Sequence, residues 1–240
     1  MALALLGAFV AIERRSRAPL VRLSIFRVRS LTGANLVLVV VAGGLFALFF
    51  FASLYVQEIL GFDPLQAGFA FLPVSFMIGI GAGLAQQLVR RIGVRAVAVF
   101  GMVCATGGLF WLSGVTADGS YASDLLPGLL LMSFGMGNTF VPITLIATTN
   151  VGAEDAGLAS GLFNTSQQVG GALGLAILST LAANATAGST GAPDVALVHG
   201  YQVAFGAGAA MLAGGAVLLT VLLRRRHVVA IDVESAPVVA

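Results

Sequence analysis

The chain has 240 residues, of which 58% are hydrophobic and only 9% are charged, and its mean hydropathy is +1.01. Soluble domains have charged side chains at about a quarter of their positions, so these values exclude an ordinary water-soluble globule. The formal net charge is a modest +2, and we expect no nucleic-acid partner.

Apolar runs of about 20 residues recur along the chain, and each could cross a hydrocarbon core about 30 Å thick as a helix. Lipid cannot satisfy free backbone N–H and C=O groups, so these runs must be helical. We therefore predict an all-α membrane protein embedded in the lipid bilayer. Its six predicted spans lie at about 31–56, 65–89, 94–116, 124–149, 156–183 and 200–223.

The chain opens with MALALLGAFVAI, which is apolar but too short to cross a membrane. Basic residues follow this run and no small-residue cleavage site is present, so it does not fit a signal peptide. We interpret residues 1–12 as the tail of a preceding span and expect the chain to belong to a longer polypeptide. Residues 13–30 are then an arginine-rich cytoplasmic linker, and residues 224–240 are a cytoplasmic tail.

The arginines predict the orientation. All twelve basic residues are arginines, and they lie before the first span, between the second and third spans, or after the sixth. The opposite connections contain only acidic charges. The positive-inside rule therefore predicts that both ends of the six-helix unit are cytoplasmic, and we expect the plasma membrane as the location.

Glycines recur at a spacing of four within the predicted spans. This spacing allows two helices in lipid to approach closely. We expect six such glycines to pack against neighbouring helices: Gly79, Gly83, Gly157, Gly161, Gly170 and Gly174.

The fifth span contains an unusual polar stretch, ASGLFNTSQQVGGALGLA at 159–176. Asn164 and Gln168 are four residues apart and share one helix face. Amides exposed to lipid would lack hydrogen-bond partners, so this face must point toward other helices or a wet cavity. The sequence leaves both interpretations open.

Nothing in the sequence predicts an enzyme. The two histidines, His199 and His227, lie outside the predicted membrane helices, and the sole cysteine, Cys104, has no nearby metal-ligating residue. We expect no cofactor and no metal. Nor does an ionisable residue fall in the middle of a span, where proton-coupled transporters place one.

Three segments carry a family resemblance: residues 13–30, residues 55–73 (YVQEILGFDPLQAGFAFLP) and residues 135–178 (GMGNTFVPITLIATTNVGAEDAGLASGLFNTSQQVGGALGLAIL). They resemble fourteen-span drug:proton antiporters of the major facilitator superfamily. The resemblance implies a C-terminal six-helix half-bundle, made of two inverted three-helix repeats, of a multidrug or metabolite efflux transporter working by alternating access. It also implies a partner N-terminal half that contains the proton-binding carboxylates.

The resemblance implies two functional regions. A substrate cavity for small molecules would be lined by the first, second, fourth and fifth spans, although rings in spans also commonly pack or face lipid. The loop GLAQQLVRRIGVR at 83–95 resembles a cytoplasmic gate motif, with Arg90 in place of the family's acid. The cavity residues are Phe46, Phe50, Met136, Asn138, Asn164 and Gln168, and the gate residues are Arg91, Gly93, Arg95, Glu154 and Asp155.

The two acids of the gate set have two interpretations. Glu154 and Asp155 either cap the fifth span, where the helix dipole favours negative charge, or pair with Arg91 and Arg95. For the whole chain, a self-associating six-helix half-transporter and a non-transporting scaffold or truncated gene product remain alternatives.

Overall fold

A computed structural model describes residues 7–8, 11–13, 25, 29–148 and 155–222. Most of the predicted tail of a preceding span and of the arginine-rich linker lies outside these residues. Glu154, His227 and the predicted cytoplasmic tail also lie outside them. Within the described residues, six helices are long and apolar enough to cross a membrane.

The six spans alternate with short connections. The first is an α-helix, Arg29–Leu54, continued by a π-helical turn, Tyr55–Ile59. The second consists of Pro64–Ala70 and Leu72–Ile92, interrupted at Phe71 just before Pro73. The other four contain the α-helices Val94–Leu112, Leu126–Thr148 (preceded by a π-helical turn, Tyr121–Leu125), Ala156–Gly188 and Pro193–Leu222.

The largest difference from the predicted bounds is at the sixth span, which begins seven residues before the predicted position 200. Pro193 is its first residue, where the missing N–H costs nothing, and Asp194 lies in its first turn. The polar sequence GAPD therefore starts a helix although its composition resembles a loop.

Two glycines with positive φ set the tight connections beside the second span. Gly61 (φ +69°) ends the first span, and the next helix begins with a capping box in which Asp63 Oδ1 accepts from Gln66 N at 2.8 Å. Gly93 (φ +85°) joins the second span to the third without a loop. A side chain would be strained at both positions.

The third and fourth spans pack through glycines. A Cβ placed on Gly101 would lie 2.6 Å from the carbonyl oxygen of Gly135, and one on Gly135 would overlap the backbone of Ala105. Gly108 lies in the same way against Met132. Because lipid provides no hydrophobic drive for helices to associate, such close backbone contact is what holds them together.

The helix packing has an internal symmetry. The first span packs against the fifth and sixth spans. The fourth span packs in the corresponding way against the second and third spans. A shift of three spans converts each pair into the other. Since consecutive spans alternate in direction, the related spans run oppositely. The predicted half-bundle of two inverted three-helix repeats is confirmed.

The chain's three tyrosines tie the helices together at one end of the bundle, which we call the tyrosine end. Tyr55 donates to the carbonyl of Thr116 at 2.8 Å, and Tyr121 donates to the carbonyl of Ala70 at 2.6 Å. Tyr201 donates to the carboxylate of Glu58. We call the opposite end, which carries Arg90, Arg91 and Arg95, the arginine end.

We predict that Gly135→Ala destabilises the fold, because its methyl group would press on the third span's backbone. Overpacking of this kind costs about 1–3 kcal/mol. The thermal midpoint of the detergent-purified protein should fall. Gly214→Ala is the matched control, because no atom lies within 4 Å of an added Cβ there. An unchanged midpoint for Gly135→Ala would contradict the packing.

Candidate functional site

One face of the first span is exposed along the middle and tyrosine end of the helix. Phe46 and Phe50 are 41% and 42% exposed, Ser53 is half-buried, and Gln57 is exposed. Spacings of three and four place these residues on one side of the helix. Gln57 Nε2 donates to Ser53 Oγ at 2.8 Å and to the Ser53 carbonyl at 3.2 Å.

Contacts on either side locate this face within the bundle. Phe49 packs on Phe71 of the second span, with ring centroids 5.7 Å apart. On the other side, the Phe46 ring lies against Gly171 of the fifth span, where an added Cβ would be 2.8 Å from the ring. The exposed face of the first span therefore lies between the second and fifth spans.

The fifth span continues this surface with amides. Asn164 and Gln168 are exposed and neither has a hydrogen bond to another described residue. Gln168 is one turn before Gly171, which places it beside Phe46. Of the six predicted cavity residues, the structure thus brings four to one surface: Phe46, Phe50, Asn164 and Gln168.

The second span forms the other edge of this surface. Ser75 lies one turn after Phe71 and is exposed, as are Gly79 and Gly83 one and two turns further on. We call the surface made by these residues and the exposed faces of the first and fifth spans the open face. Its two edges are formed by the second and fifth spans, which are the least buried of the six described. In their most apolar stretches 22% and 28% of the residues are buried, against 61% in the fourth span.

The glycine expectation needs correction at four of six positions. Gly170 and Gly174 do lie against the first span, close to Val39 and Gly43. A Cβ on each of the others would meet no described atom within 4 Å. Those four are Gly79, Gly83, Gly157 and Gly161. They are exposed at the edges of the open face because other sides of the second and fifth spans contact the bundle.

The expectation that Met136 and Asn138 line the cavity also needs correction, because the structure buries both side chains in the bundle. Asn138 Nδ2 donates to the Phe134 carbonyl at 2.9 Å. The same amide nitrogen would lie 3.2 Å from a Cβ on Gly81 of the second span. These two residues face the junction of the fourth span with its neighbours, which the spacing in the sequence did not reveal.

Ser53 and Gln57 belong to the open face but were missed from the sequence. Gln57 stands in YVQEIL, at the end of the first span, where a polar residue is unremarkable. The available signal was its spacing of seven from Phe50 and four from Ser53.

Arg95 of the predicted gate loop has a partner in the sixth span that the sequence did not predict. Arg95 Nη2 donates to the carbonyl of Thr220 at 2.7 Å, which ties the start of the third span to the sixth. Arg91 is exposed on the last turn of the second span, and Gly93 supplies the positive φ that joins the two helices. The loop therefore fastens helices of the same half to each other.

Asp155 immediately precedes the helix Ala156–Gly188, but its side chain makes no capping hydrogen bond. Its backbone (φ −103°, ψ 1°) departs from the extended conformation that an N-cap residue usually adopts. Asp155 therefore stands at the N-cap position without a side-chain capping hydrogen bond. Its stabilisation by the helix dipole and its pairing with Arg91 or Arg95 stay predictions, and Glu154 lies outside the described residues.

The open face combines amide groups with aromatic rings. It offers amide donors and acceptors from Gln57, Asn164 and Gln168 beside the rings of Phe46 and Phe50. Aromatic rings supply apolar and cation–π contacts, and amides supply orientation-dependent hydrogen bonds. Such a surface suits molecules that are partly apolar and carry a few polar groups.

Comparison with known proteins gives the family. Residues 3–175 match the Major Facilitator Superfamily. The chain is 36% identical over 98% of its length to the puromycin resistance protein pur8 of Streptomyces alboniger, covering 48% of that protein. It is 35% identical over 76% of its length to the cephamycin export protein CmcT of Amycolatopsis lactamdurans, covering 38% of it.

A third relative, the tetracenomycin C resistance and export protein of Streptomyces glaucescens, is 31% identical over 74% of this chain and 34% of its own length. The chain thus spans about half, or less, of the relatives it matches. The family match at residues 3–175 covers the first four spans and more than half of the fifth. The chain is a multi-pass membrane protein and belongs to the Major Facilitator Superfamily.

Proposed function

We propose that this chain forms the C-terminal half of a proton-coupled efflux transporter that works by alternating access. The observation that supports this most is the open face. Exposed amides within a membrane span lack partners if they contact lipid. A second half-bundle with a water-filled passage between the two halves would cover this face and hydrate its amides.

The partner in this proposal is an N-terminal half built like this one. The shared regions make up 48% and 38% of the first two relatives, so more than half of each relative lies outside the shared region, which leaves room for such a half. Gly157 and Gly161, and Gly79 and Gly83, are exposed without neighbours on the two edges of the open face. Small residues there would allow helices of a second half to approach closely.

The substrates we propose are small, partly apolar molecules such as antibiotics or other metabolites. The relatives are named for resistance to, or export of, puromycin, cephamycin and tetracenomycin C. Those compounds differ widely in structure. Adaptable apolar contacts from Phe46 and Phe50, combined with a few amides, fit such variety better than a rigid polar site does.

We assign the coupling proton to the other half. Glu58 directly follows Gln57 of the open face, but it lies at the tyrosine end and accepts from Tyr201. A carboxylate near the middle of a span is what proton coupling ordinarily uses. The open face offers amides and rings there, which bind substrate without titrating.

The arginine end is cytoplasmic in this proposal, and the protein lies in the plasma membrane. We predict that reporter fusions after residue 62 and after residue 92 report opposite compartments, because one complete span separates them. Alkaline phosphatase should be active at the first position and green fluorescent protein should fluoresce at the second. The same compartment for both fusions would refute the proposed orientation.

We predict that the full-length protein containing this chain, reconstituted in proteoliposomes, transports a cationic dye faster when a proton gradient is imposed. Transport is measured by dye fluorescence, and a protonophore is the control. Equal rates with and without the gradient would remove proton coupling from the proposal while leaving transport itself intact.

We predict that Gln168→Leu in the full-length protein changes substrate preference without lowering expression. Losing one hydrogen bond of about 0.5–1.5 kcal/mol should shift the relative transport rates of two substrates by about two- to twelvefold. Thr180→Val is the control, because Thr180 is on the same helix and its hydroxyl donates to the carbonyl of Ala176 in that helix. Unchanged rates for every substrate would reduce the fifth-span amides to a packing role.

A further inference from the structure

We propose that Gln57 is a substrate-binding residue of the open face, which accepts a hydrogen bond from an N–H or O–H group of the transported molecule. We further propose that Tyr55, Glu58 and Tyr201 are positioning residues that hold it there. This inference rests on the proposed function of the open face as one wall of the passage.

The first span ends in a wide turn that presents Gln57. The amide of Leu60 donates to the Tyr55 carbonyl and the amide of Phe62 to the Val56 carbonyl, each at 3.1 Å. These bonds span five and six residues instead of the four of an α-helix. Such π-helical turns are frequent at functional sites, and they are less regular than an α-helix, so this one needs support from its surroundings.

Two side chains of the turn provide that support in different directions. Tyr55 is fully buried and donates to the Thr116 carbonyl in the connection between the third and fourth spans. Glu58 accepts from Tyr201, which is 5% exposed and belongs to the sixth span. Because Tyr55 and Glu58 are bonded to other segments of the bundle, Gln57, which lies between them in the sequence, is left on the exposed side of the helix.

The hydrogen bonds of Gln57 determine which amide atom is available. The Ser53 carbonyl can only accept, so the amide nitrogen must face it, and the structure has that bond at 3.2 Å. The same nitrogen donates to Ser53 Oγ. Oε1 therefore points away, and it has no donor among the residues described. A ligand beside Phe50 would meet an acceptor with a fixed orientation.

The ligand class follows from this acceptor. An amide oxygen next to aromatic rings favours molecules with an apolar body that carry an amino or hydroxyl group. A cation without any N–H or O–H group would use the rings but gain nothing from Gln57.

The test compares two cations on the purified full-length protein. Ethidium carries aromatic amino groups, and tetraphenylphosphonium has no hydrogen-bond donor. Binding is measured by ethidium fluorescence and by scintillation proximity with radiolabelled tetraphenylphosphonium. We expect Gln57→Leu to raise the Kd for ethidium about three- to tenfold and to leave that for tetraphenylphosphonium unchanged.

The matched control is Asn184→Leu, which removes an exposed amide at the tyrosine end of the fifth span, away from the open face. This variant should bind both cations like the parent protein. An unchanged ethidium Kd in Gln57→Leu, or an equal loss for both cations, would overturn the role of Gln57.

The positioning role has its own variants. Tyr201→Phe removes the bond to Glu58 and should weaken ethidium binding selectively, by less than Gln57→Leu does. Glu58→Gln keeps an acceptor for Tyr201 and should bind ethidium nearly as the parent does. If Tyr201→Phe weakens both cations equally, the pair is only structural. Failure of the parent to transport either cation would count against the proposed function, whereas these binding ratios would still decide the role of Gln57.

Discussion

Hydrocarbon offers no hydrogen-bond partner, and this constraint governs where most polar groups of the bundle are placed. Several hydroxyls in the spans donate to their own helix, as Thr139 does to the Gly135 carbonyl and Thr165 to the Gly161 carbonyl, whereas those of Thr106 and Ser133 are buried without a partner among the described residues. The tyrosines lie at one end and bond to other helices. The amides of Asn164 and Gln168 have neither kind of bond among the described residues, and they lie on the open face that the proposed second half would cover.

The same constraint explains why glycine dominates the contacts between helices. In lipid, helix association depends on van der Waals contact and on interhelical hydrogen bonds, and both require a short distance. Gly101 and Gly135 allow the third and fourth spans to touch along their backbones, and Gly170 and Gly174 do the same for the fifth and first. In the proposed transporter, a half-bundle packed in this way would move as a unit against the second half.

The two ends of the bundle are fastened differently. At the tyrosine end, side chains from three spans hold the connection 113–120 and the turn 55–59. One of them is Gln202, whose amide donates to the Val115 carbonyl at 2.7 Å. At the arginine end, Arg95 donates to Thr220. Both sets of bonds join elements of this six-helix bundle, so they stabilise the bundle itself and leave its open face exposed.

The sequence alone predicted the number of spans, the alternation of charges between the connections, the inverted repeat and the family. These properties depend on the length of apolar runs and on motifs within one helix or loop, which are local. It could not predict which side of each helix faces a neighbour, because the first and fourth spans are apolar on all sides and carry almost no periodic signal.

Helix rotation was therefore decided by the tertiary structure. Contacts with glycines more than 30 residues away bury Asn138 against Gly81 and Gly101, whereas Gly79 and Gly157 are exposed and an added Cβ there would meet no described atom within 4 Å. The turn at Tyr55–Ile59 likewise depends on partners 61 and 143 residues away. Local sequence determines that a segment crosses the membrane as a helix, whereas contacts between distant segments determine which of its side chains stay exposed.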